Sequence, residues 1–365
     1  MKNFSKEEFE FYNRQIILDN FGDKAQLKLK QARVLVIGAG GLGCPVLQYL
    51  CAAGVGFIGI VDADVVSVSN LHRQILFGID DLGKPKVEQA KLKLQQLNPN
   101  IEIAIFQENI NVHNALQLIQ SYNIICDCTD NFSARYLIND ACVILNKPFV
   151  SASILRFEGQ ISVFNHRTKI NYRDIFPMPP TNIPNCAEAG VIGVLCGIIG
   201  SLQANEVIKM ITDIGETLEG KLVCYDALSN SMQSFKIKPS NISITALQDN
   251  YDVNCAAQPL LINEVSPQEL KMMIDNKEDF QLIDVREQFE YDIVNIGAAL
   301  IPLNTITSQI DKISKDKKVI IHCKSGTRSI KAIELLQQHG FNNLYNLKGG
   351  ILAYVKEVHQ ESVTY

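Results

Sequence analysis

The stretch Gln31-Ala32-Arg33-Val34-Leu35-Val36-Ile37-Gly38-Ala39-Gly40-Gly41-Leu42-Gly43 decides the fold. Its apolar run reads as a buried strand, and Gly38, Gly40 and Gly43 form a G-x-G-x-x-G turn opening a helix that reaches about Ala53. Glycines there let the backbone approach a phosphate, and the helix N-terminus aims oriented N–H groups at it. Asp62 follows Gly43 by 19 residues at the end of a second strand, 56–61, where an acid accepts hydrogen bonds from ribose hydroxyls. A helix over 84–97 stops at Asn98-Pro99-Asn100, and further strands are expected at 101–106, 123–128 and 148–151. Strand and helix alternate, so the expected fold is α/β with a doubly wound, mostly parallel sheet.

The pattern changes near Asn165. Residues 175–184 are proline-rich and exclude regular structure, and a glycine-rich helix is expected over 188–210. A polar stretch without periodicity, 238–260, reads as a linker, after which a smaller α/β pattern begins with strands at 280–284 and 318–322 and a helix over 329–340. The expected organisation is 1–240, a linker at 241–261, and 262–365. Two domains suit a chain of 365 residues. At the N-terminus, Ser5 and Glu8 fit a capping box.

A net charge of -5 argues against a nucleic-acid binder held by phosphate contacts. The longest apolar run, 42–61, carries Pro45, Gln48 and several glycines, so it reads as a core helix and strand rather than a membrane span. Ten cysteines without a secretory signal suit reduced thiols and a cytoplasmic location.

The glycine motif alone suits NAD as well as ATP. Polar residues beyond it favour ATP. Ser69-Asn70-Leu71-His72-Arg73-Gln74 follows the second strand, Lys84-Pro85-Lys86 opens the next helix, and Cys128-Thr129-Asp130-Asn131 closes another strand. Hydride transfer needs no cluster of cations beside the phosphates, whereas attack on an α-phosphate does. Arg73 and Lys86 can neutralise a triphosphate, and Asp130 can hold Mg²⁺. Each charge alone reads as solvated surface; together at strand carboxyl ends they read as a site.

These segments, with Asn13-Arg14-Gln15-Ile16-Ile17, Asp62-Ala63-Asp64 and Gly83-Lys84-Pro85-Lys86, resemble MoeB/ThiF-type enzymes, relatives of the ubiquitin-activating enzymes, over roughly residues 5–235. The resemblance implies a Rossmann-like fold and an adenylyltransferase that joins ATP to the terminal Gly-Gly carboxylate of a ubiquitin-like sulfur carrier. It implies an ATP site built from Gly38, Gly40, Gly41, Gly43, Asp62, Asp64, Ser69, Asn70, Leu71, His72, Arg73, Lys86, Asp130 and Asn131. It also implies that Arg14 reaches the γ-phosphate in a neighbouring subunit, hence a homodimer. Cys186 matches a crossover-loop cysteine that in some relatives links to the carrier, and a spectator role weighs equally. The family's structural zinc uses two Cys-x-x-Cys pairs; here Asn171 and Asp174 occupy the first pair's positions and Cys255 alone remains of the second, so zinc is expected to be absent.

Near the C-terminus, Ile320-Ile321-His322-Cys323-Lys324-Ser325-Gly326-Thr327-Arg328-Ser329 reads as strand, tight loop and helix start. Loop N–H groups and the helix dipole favour a reactive thiolate at Cys323, with Arg328 closing the ring. Four residues separate Cys323 from Arg328, one fewer than in tyrosine phosphatase loops, and the smaller cup suits a sulfane sulfur. With Leu282-Ile283-Asp284-Val285-Arg286-Glu287 and the segment 291–303, this region resembles a rhodanese domain over about 262–358; Asn295 stands where that family often has His. The resemblance implies a Cys323 persulfide, with Asp284 orienting Arg286 or the loop. The donor would be a cysteine desulfurase or thiosulfate, and the pathway molybdopterin or thiamin biosynthesis. Readings as a NAD-dependent dehydrogenase fused to a rhodanese, or as a non-catalytic scaffold, account less well for Arg14, Lys86, Asp130 and Cys323 together.

Overall fold

The computed structural model describes residues 4–179, 190–240, 242–251 and 262–359, and the chain divides into two compact units, Met1–Cys255 and Ala256–Tyr365. The first unit is built on eight strands: β1 (Arg33–Ile37), β2 (Phe57–Val61), β3 (Glu102–Phe106), β4 (Ile124–Asp127), β5 (Phe149–Leu155), β6 (Glu158–Phe164), β7 (Lys221–Asp226) and β8 (Ser231–Lys236). Their order is β3-β2-β1-β4-β5-β6-β7-β8, parallel as far as β5 and antiparallel from β6 onward.

Side-chain alternation along β1 shows why both faces are covered. Val34 and Val36 enter one apolar cluster with Leu47, Leu50 and Ile199, while Leu35 and Ile37 enter another with Tyr136, Phe149 and Phe164. Helices Gly43–Ala53 and Gly193–Thr212 pack together on the first face. The second of these is long and apolar enough to cross a membrane, but half of it is buried inside the unit. It starts at Gly193, later than the sequence pattern implied. The capping box forms as expected, with Ser5 Oγ accepting from Glu8 N and Glu8 Oε2 accepting from Ser5 N.

The antiparallel extension was not anticipated. A turn through Arg156, at a φ of 54°, folds β6 back onto β5, and β7 and β8 form a second hairpin. The exposed β8 lacks the apolar alternation that would mark it in sequence.

Part of the segment read as linker packs on the first unit. Tyr251 Oη donates to Asp140 Oδ2 at 2.7 Å, and the same buried carboxylate takes Arg173 Nε at 2.7 Å and Nη2 at 2.8 Å. Asn171 and Asp174, at the positions of the family's zinc thiolates, form a capped turn instead. Asn171 Oδ1 accepts from Arg173 N, Asp174 Oδ2 accepts from Asn171 N, and Asp174 Oδ1 accepts from Ser240 N at 2.6 Å. This donor set does not fit a closed thiolate zinc site.

The second unit is a parallel five-stranded sheet of β9 (Asn263–Val265), β10 (Phe280–Asp284), β11 (Ala299–Leu300), β12 (Lys318–His322) and β13 (Leu344–Leu347), ordered β11-β10-β12-β13-β9. Val319 and Ile321 of β12 feed one apolar cluster and Ile320 the other, so the strand that ends at the thiol loop is covered on both faces.

Removing one partner of a buried ion pair strands the other charge. Asp140→Ala is expected to lower the stability of the first unit by about 3–5 kcal/mol, read as an earlier urea transition of that unit in the full chain. An unmoved transition would show that Arg173 and Tyr251 do not depend on this carboxylate.

Candidate functional sites

The order of the first sheet reverses between β1 and β4, and a cavity of about 640 Å³ lies at the carboxyl ends of these strands. Gly38, Gly40, Gly41, Asp62, Asp64, Arg73, Lys86, Asp130 and Asn131 all line it. Gly43 stands beneath the loop: a Cβ there would come within 1.9 Å of the Gly38 carbonyl oxygen, so only glycine permits the turn. Ser69, Asn70, Leu71 and His72 do not line the cavity; they form the turn that presents Arg73. Arg73 Nη1 donates to the Ser69 carbonyl and lies 2.8 Å from His72 Nε2.

Backbone donors shape the acid end of the site. Asp62 Oδ2 accepts from Ala39 N at 2.7 Å and Oδ1 from Asp64 N at 2.8 Å, tying the loop after β2 to the glycine loop. Lys86 is buried at the start of its helix, and its Nζ pairs with the exposed Asp64 at 2.8 Å. An exposed acid with a buried lysine leaves the ammonium pointed at the cavity. Phosphate oxygens there would complete its donor set.

Asp130 hangs on a loop organised by Asp127, which is fully buried. Asp127 Oδ1 accepts from Thr129 N and Oγ1, and its Oδ2 accepts from Ser151 Oγ. Arg135 Nη2 donates to the Thr129 carbonyl and its Nε lies 3.5 Å from Asp127 Oδ2. Asn131 has a structural duty as well: its Oδ1 caps the helix Phe132–Ile144 through Ala134 N. Among the described residues no group of three or more His, Cys, Asp or Glu gathers as a metal cage. Asp130, an exposed carboxylate on this cavity, does fit magnesium, which commonly takes one or two carboxylates and completes its shell with substrate phosphates and water.

Sequence reasoning missed several parts of the wall. Glu108, Ile110 and Asn111 follow β3, Cys196 comes from the helix Gly193–Thr212, and Asp249, Asn250 and Tyr251 come from the stretch read as linker. None of these carries a local motif; the topology alone brings them in. Arg14 lies exposed in the last turn of the helix Lys6–Ile16 and outside this cavity. Cys186 and Cys255 lie outside the described residues.

In the second unit Cys323 directly follows β12 and is 1% exposed. Gly326 N donates to its Sγ at 3.2 Å, and Ser329 Oγ lies 3.5 Å from the sulfur. The loop backbone is held from outside, since Ile351 N donates to the Cys323 carbonyl and Leu352 N to that of Lys324. At Gly350, with a φ of 63°, a Cβ would press on both carbonyls at 2.6 Å. Arg328, expected to close the ring over the sulfur, forms a bidentate pair with Glu290, both bonds at 2.6 Å. That pair holds the Glu290 carboxyl below its ordinary value despite the opposing effect of burial. Lys324 is half-buried; Ser325 and Thr327 are exposed. Asp284 orients Arg286, as expected, through bonds to Nε and Nη2 of that fully buried guanidinium.

A cavity roomy enough for a nucleotide on a glycine loop, and a thiol loop at the end of a parallel sheet, mark two different chemistries on one chain. Residues 12–246 match the ThiF family, and residues 266–357 match the rhodanese-like domain. The chain is 44% identical to a protein named probable adenylyltransferase/sulfurtransferase MoeZ from Mycobacterium tuberculosis, covering 99% of this chain and 96% of that one. It is 39% identical to a Xenopus laevis protein named adenylyltransferase and sulfurtransferase MOCS3, covering 95% and 86% respectively. The solved structure of E. coli MccB shares the fold at 23% identity and a TM-score of 0.57, over 67% of this chain and 74% of that one. A structure described as E. coli MccB with ATP aligns at a TM-score of 0.52 and 22% identity, over 67% and 82%. The chain belongs to the ThiF family and carries a C-terminal rhodanese-like domain. It is an enzyme of the adenylyltransferase/sulfurtransferase type.

His322, beside the thiol, is fully buried; neither ring nitrogen has a hydrogen-bond partner among the described residues, and Nε2 lies 3.8 Å from Asp284 Oδ2. Burial pulls the imidazole down to about 4 from 6.5, against the pull of Asp284. Between those values the unfolded chain binds a proton that the folded imidazole refuses. Stability is therefore lost as pH falls through this window and levels off below it. The second unit should lose about 2 kcal/mol between pH 7 and 4.5 from this residue alone. Urea unfolding of full-length His322→Leu at both pH values is expected to show that loss removed; an unchanged pH dependence would assign acid sensitivity elsewhere.

Proposed function

We propose that the first unit adenylates the C-terminal Gly-Gly carboxylate of a ubiquitin-like sulfur carrier of the MoaD/ThiS type, and that the second supplies sulfur from a Cys323 persulfide. The observation that carries this reading is the gathering of Lys86, Arg73 and Asp130 around one glycine-loop cavity. A carboxylate oxygen of the carrier attacks the α-phosphorus of ATP, and pyrophosphate leaves with the electron pair. Lys86 and Arg73 offset charge on the phosphates, while Asp62 is placed for the ribose. Magnesium held by Asp130 and phosphate oxygens supplies further charge neutralisation when bound.

The acyl adenylate is then open to sulfur. The outer sulfur of the Cys323 persulfide attacks the carbonyl carbon and AMP leaves. A reducing thiol cleaves the resulting acyl disulfide to a thiocarboxylate and becomes oxidised in turn. The persulfide is loaded by a cysteine desulfurase or thiosulfate. The thiocarboxylate serves molybdopterin or thiamin synthesis in the cytoplasm, whose reducing thiols suit this chemistry. Cys186 is the candidate for a covalent link to the carrier. Arg14, exposed on the last turn of its helix, is suited to reach the γ-phosphate of a neighbouring subunit in a homodimer.

Asp130→Ala is expected to abolish carrier-dependent ATP–pyrophosphate exchange; near-normal exchange would sink the assignment. Cys323→Ala should stop thiosulfate:cyanide sulfurtransfer while exchange continues, and joint loss would contradict the division of labour. Arg14→Ala and Asp130→Ala, inactive alone, should recover about a quarter of wild-type exchange when co-refolded as mixed dimers, since half the dimers then carry one complete site. Absence of recovery would place Arg14 in its own subunit's site or outside the reaction.

A further inference from the structure

Ser329 lies one residue beyond the expected thiol loop, is fully buried, and touches the sulfur. Its Oγ has three neighbours: Cys323 Sγ at 3.5 Å, the Gly326 carbonyl oxygen at 2.8 Å and Asn346 Oδ1 at 2.7 Å. A hydroxyl has one hydrogen and two lone pairs. Both oxygens are acceptors only, so while the sulfur carries its proton the Ser329 hydrogen goes to one of them and the thiol can donate to Oγ. A thiolate reverses this preference, because it competes for that one hydrogen as a charged acceptor. Asn346 is itself fixed: its Nδ2 donates to Glu264 Oε1 at 3.2 Å, which turns Oδ1 toward Ser329. Asn346 is buried and Glu264 exposed, so a hydrogen-bonded line runs from the surface of β9 through β13 to the sulfur.

We propose that Ser329 is a catalytic residue of the sulfurtransferase site, a rotating donor that stabilises the Cys323 thiolate, with Asn346 and Glu264 as positioning residues that set how readily it turns. The inference rests on the reading of Cys323 as the sulfur carrier. In loading, the thiolate attacks the outer sulfur of the donor. A new S–S bond forms, the donor's S–S bond breaks, and sulfite or a donor thiolate leaves with the electron pair, so charge is conserved. The proton released earlier by the thiol goes to water, and Ser329 keeps its own. Once the persulfide has formed, charge sits on the outer sulfur and the Ser329 hydrogen returns to Asn346 or Gly326. Transfer to the acceptor regenerates the thiolate and turns the hydroxyl again. Charged and titratable groups next to the loop include Lys324 and Arg328, Glu290 paired to Arg328, the buried Asp284–Arg286 pair on and after β10, and neutral His322; Lys318, Lys331, Glu334, Tyr345 and Lys348 lie further along, or just after, the same elements.

The test uses the full-length protein and reads iodoacetamide alkylation of Cys323, by peptide mass spectrometry, against pH, together with thiosulfate:cyanide turnover. For Ser329→Ala the alkylation midpoint should rise by roughly one pH unit, and turnover at neutral pH should fall about tenfold and recover at high pH. Ser329→Thr, which keeps the hydroxyl, should restore the wild-type midpoint. Glu264→Gln, at the exposed end, should move the midpoint downward, since it removes a nearby negative charge and makes Asn346 a weaker competitor. A Ser329→Ala protein slowed equally at every pH with an unmoved midpoint, or a Glu264→Gln midpoint that stays or rises, would overturn the proposal. The alkylation profile does not depend on sulfur transfer. Wild-type protein without turnover would therefore count against the sulfur-carrier reading, while a shifted Ser329→Ala midpoint would still support the role of Ser329.

Discussion

The glycine-loop cavity depends on one carboxylate that never meets solvent. Asp127 ends β4 and divides its oxygens between Thr129 and Ser151, with Arg135 alongside. An unpaired buried carboxylate is costly, so those partners are required rather than optional. In meeting that requirement they bend residues 128–131 into the loop that carries Asp130 to the cavity, and they join β4 to β5 and to the helix Phe132–Ile144. Gln203, from the long apolar helix, adds a donor to the Asp127 carbonyl. The Asp130 side chain is thus positioned by a residue that does not itself line the cavity.

The parallel half of the sheet was legible because burial on both faces writes itself as uninterrupted apolar runs such as Val34–Ile37, punctuated by glycine and by Asn98-Pro99-Asn100. The glycine loop and Asp130 are legible for a similar reason, since each sits next to a strand end the sequence announces, while Lys86 opens a helix that Lys84-Pro85 marks. The β5–β6 turn was not, because it places Arg156, rather than a glycine, in the left-handed region. Nor was the role of Asp249–Tyr251, since a polar segment held by tertiary contacts such as the Tyr251–Asp140 hydrogen bond has the composition of a linker. The thiol loop was read correctly in outline. Its arginine was not, because Glu290 lies 38 residues away in sequence and its claim on Arg328 is a tertiary fact.

Both sites share one construction. Each places a polar side chain directly after a central parallel strand and recruits backbone N–H donors to hold it or its loop. Asp62 is anchored by Ala39 N and Asp64 N, and the Cys323 loop by Ile351 N and Leu352 N. Backbone donors have few degrees of freedom, so they hold a loop with little entropic cost once the sheet has formed.

The replaced zinc positions show where such holding matters. A structural zinc contributes on the order of 10 kcal/mol to folding, whereas a hydrogen bond contributes about 1 and the buried Asp140–Arg173 pair little net. The Asn171–Asp174 turn and its bond to Ser240 are therefore no energetic substitute for a metal. What the site requires is position. Asp174 fixes residue 240 and Asp140 fixes residue 251, so the chain leaving β8 is pinned at both ends of the stretch that completes the nucleotide wall. Hydrogen bonds suffice for that task because they constrain direction even where they add little to stability.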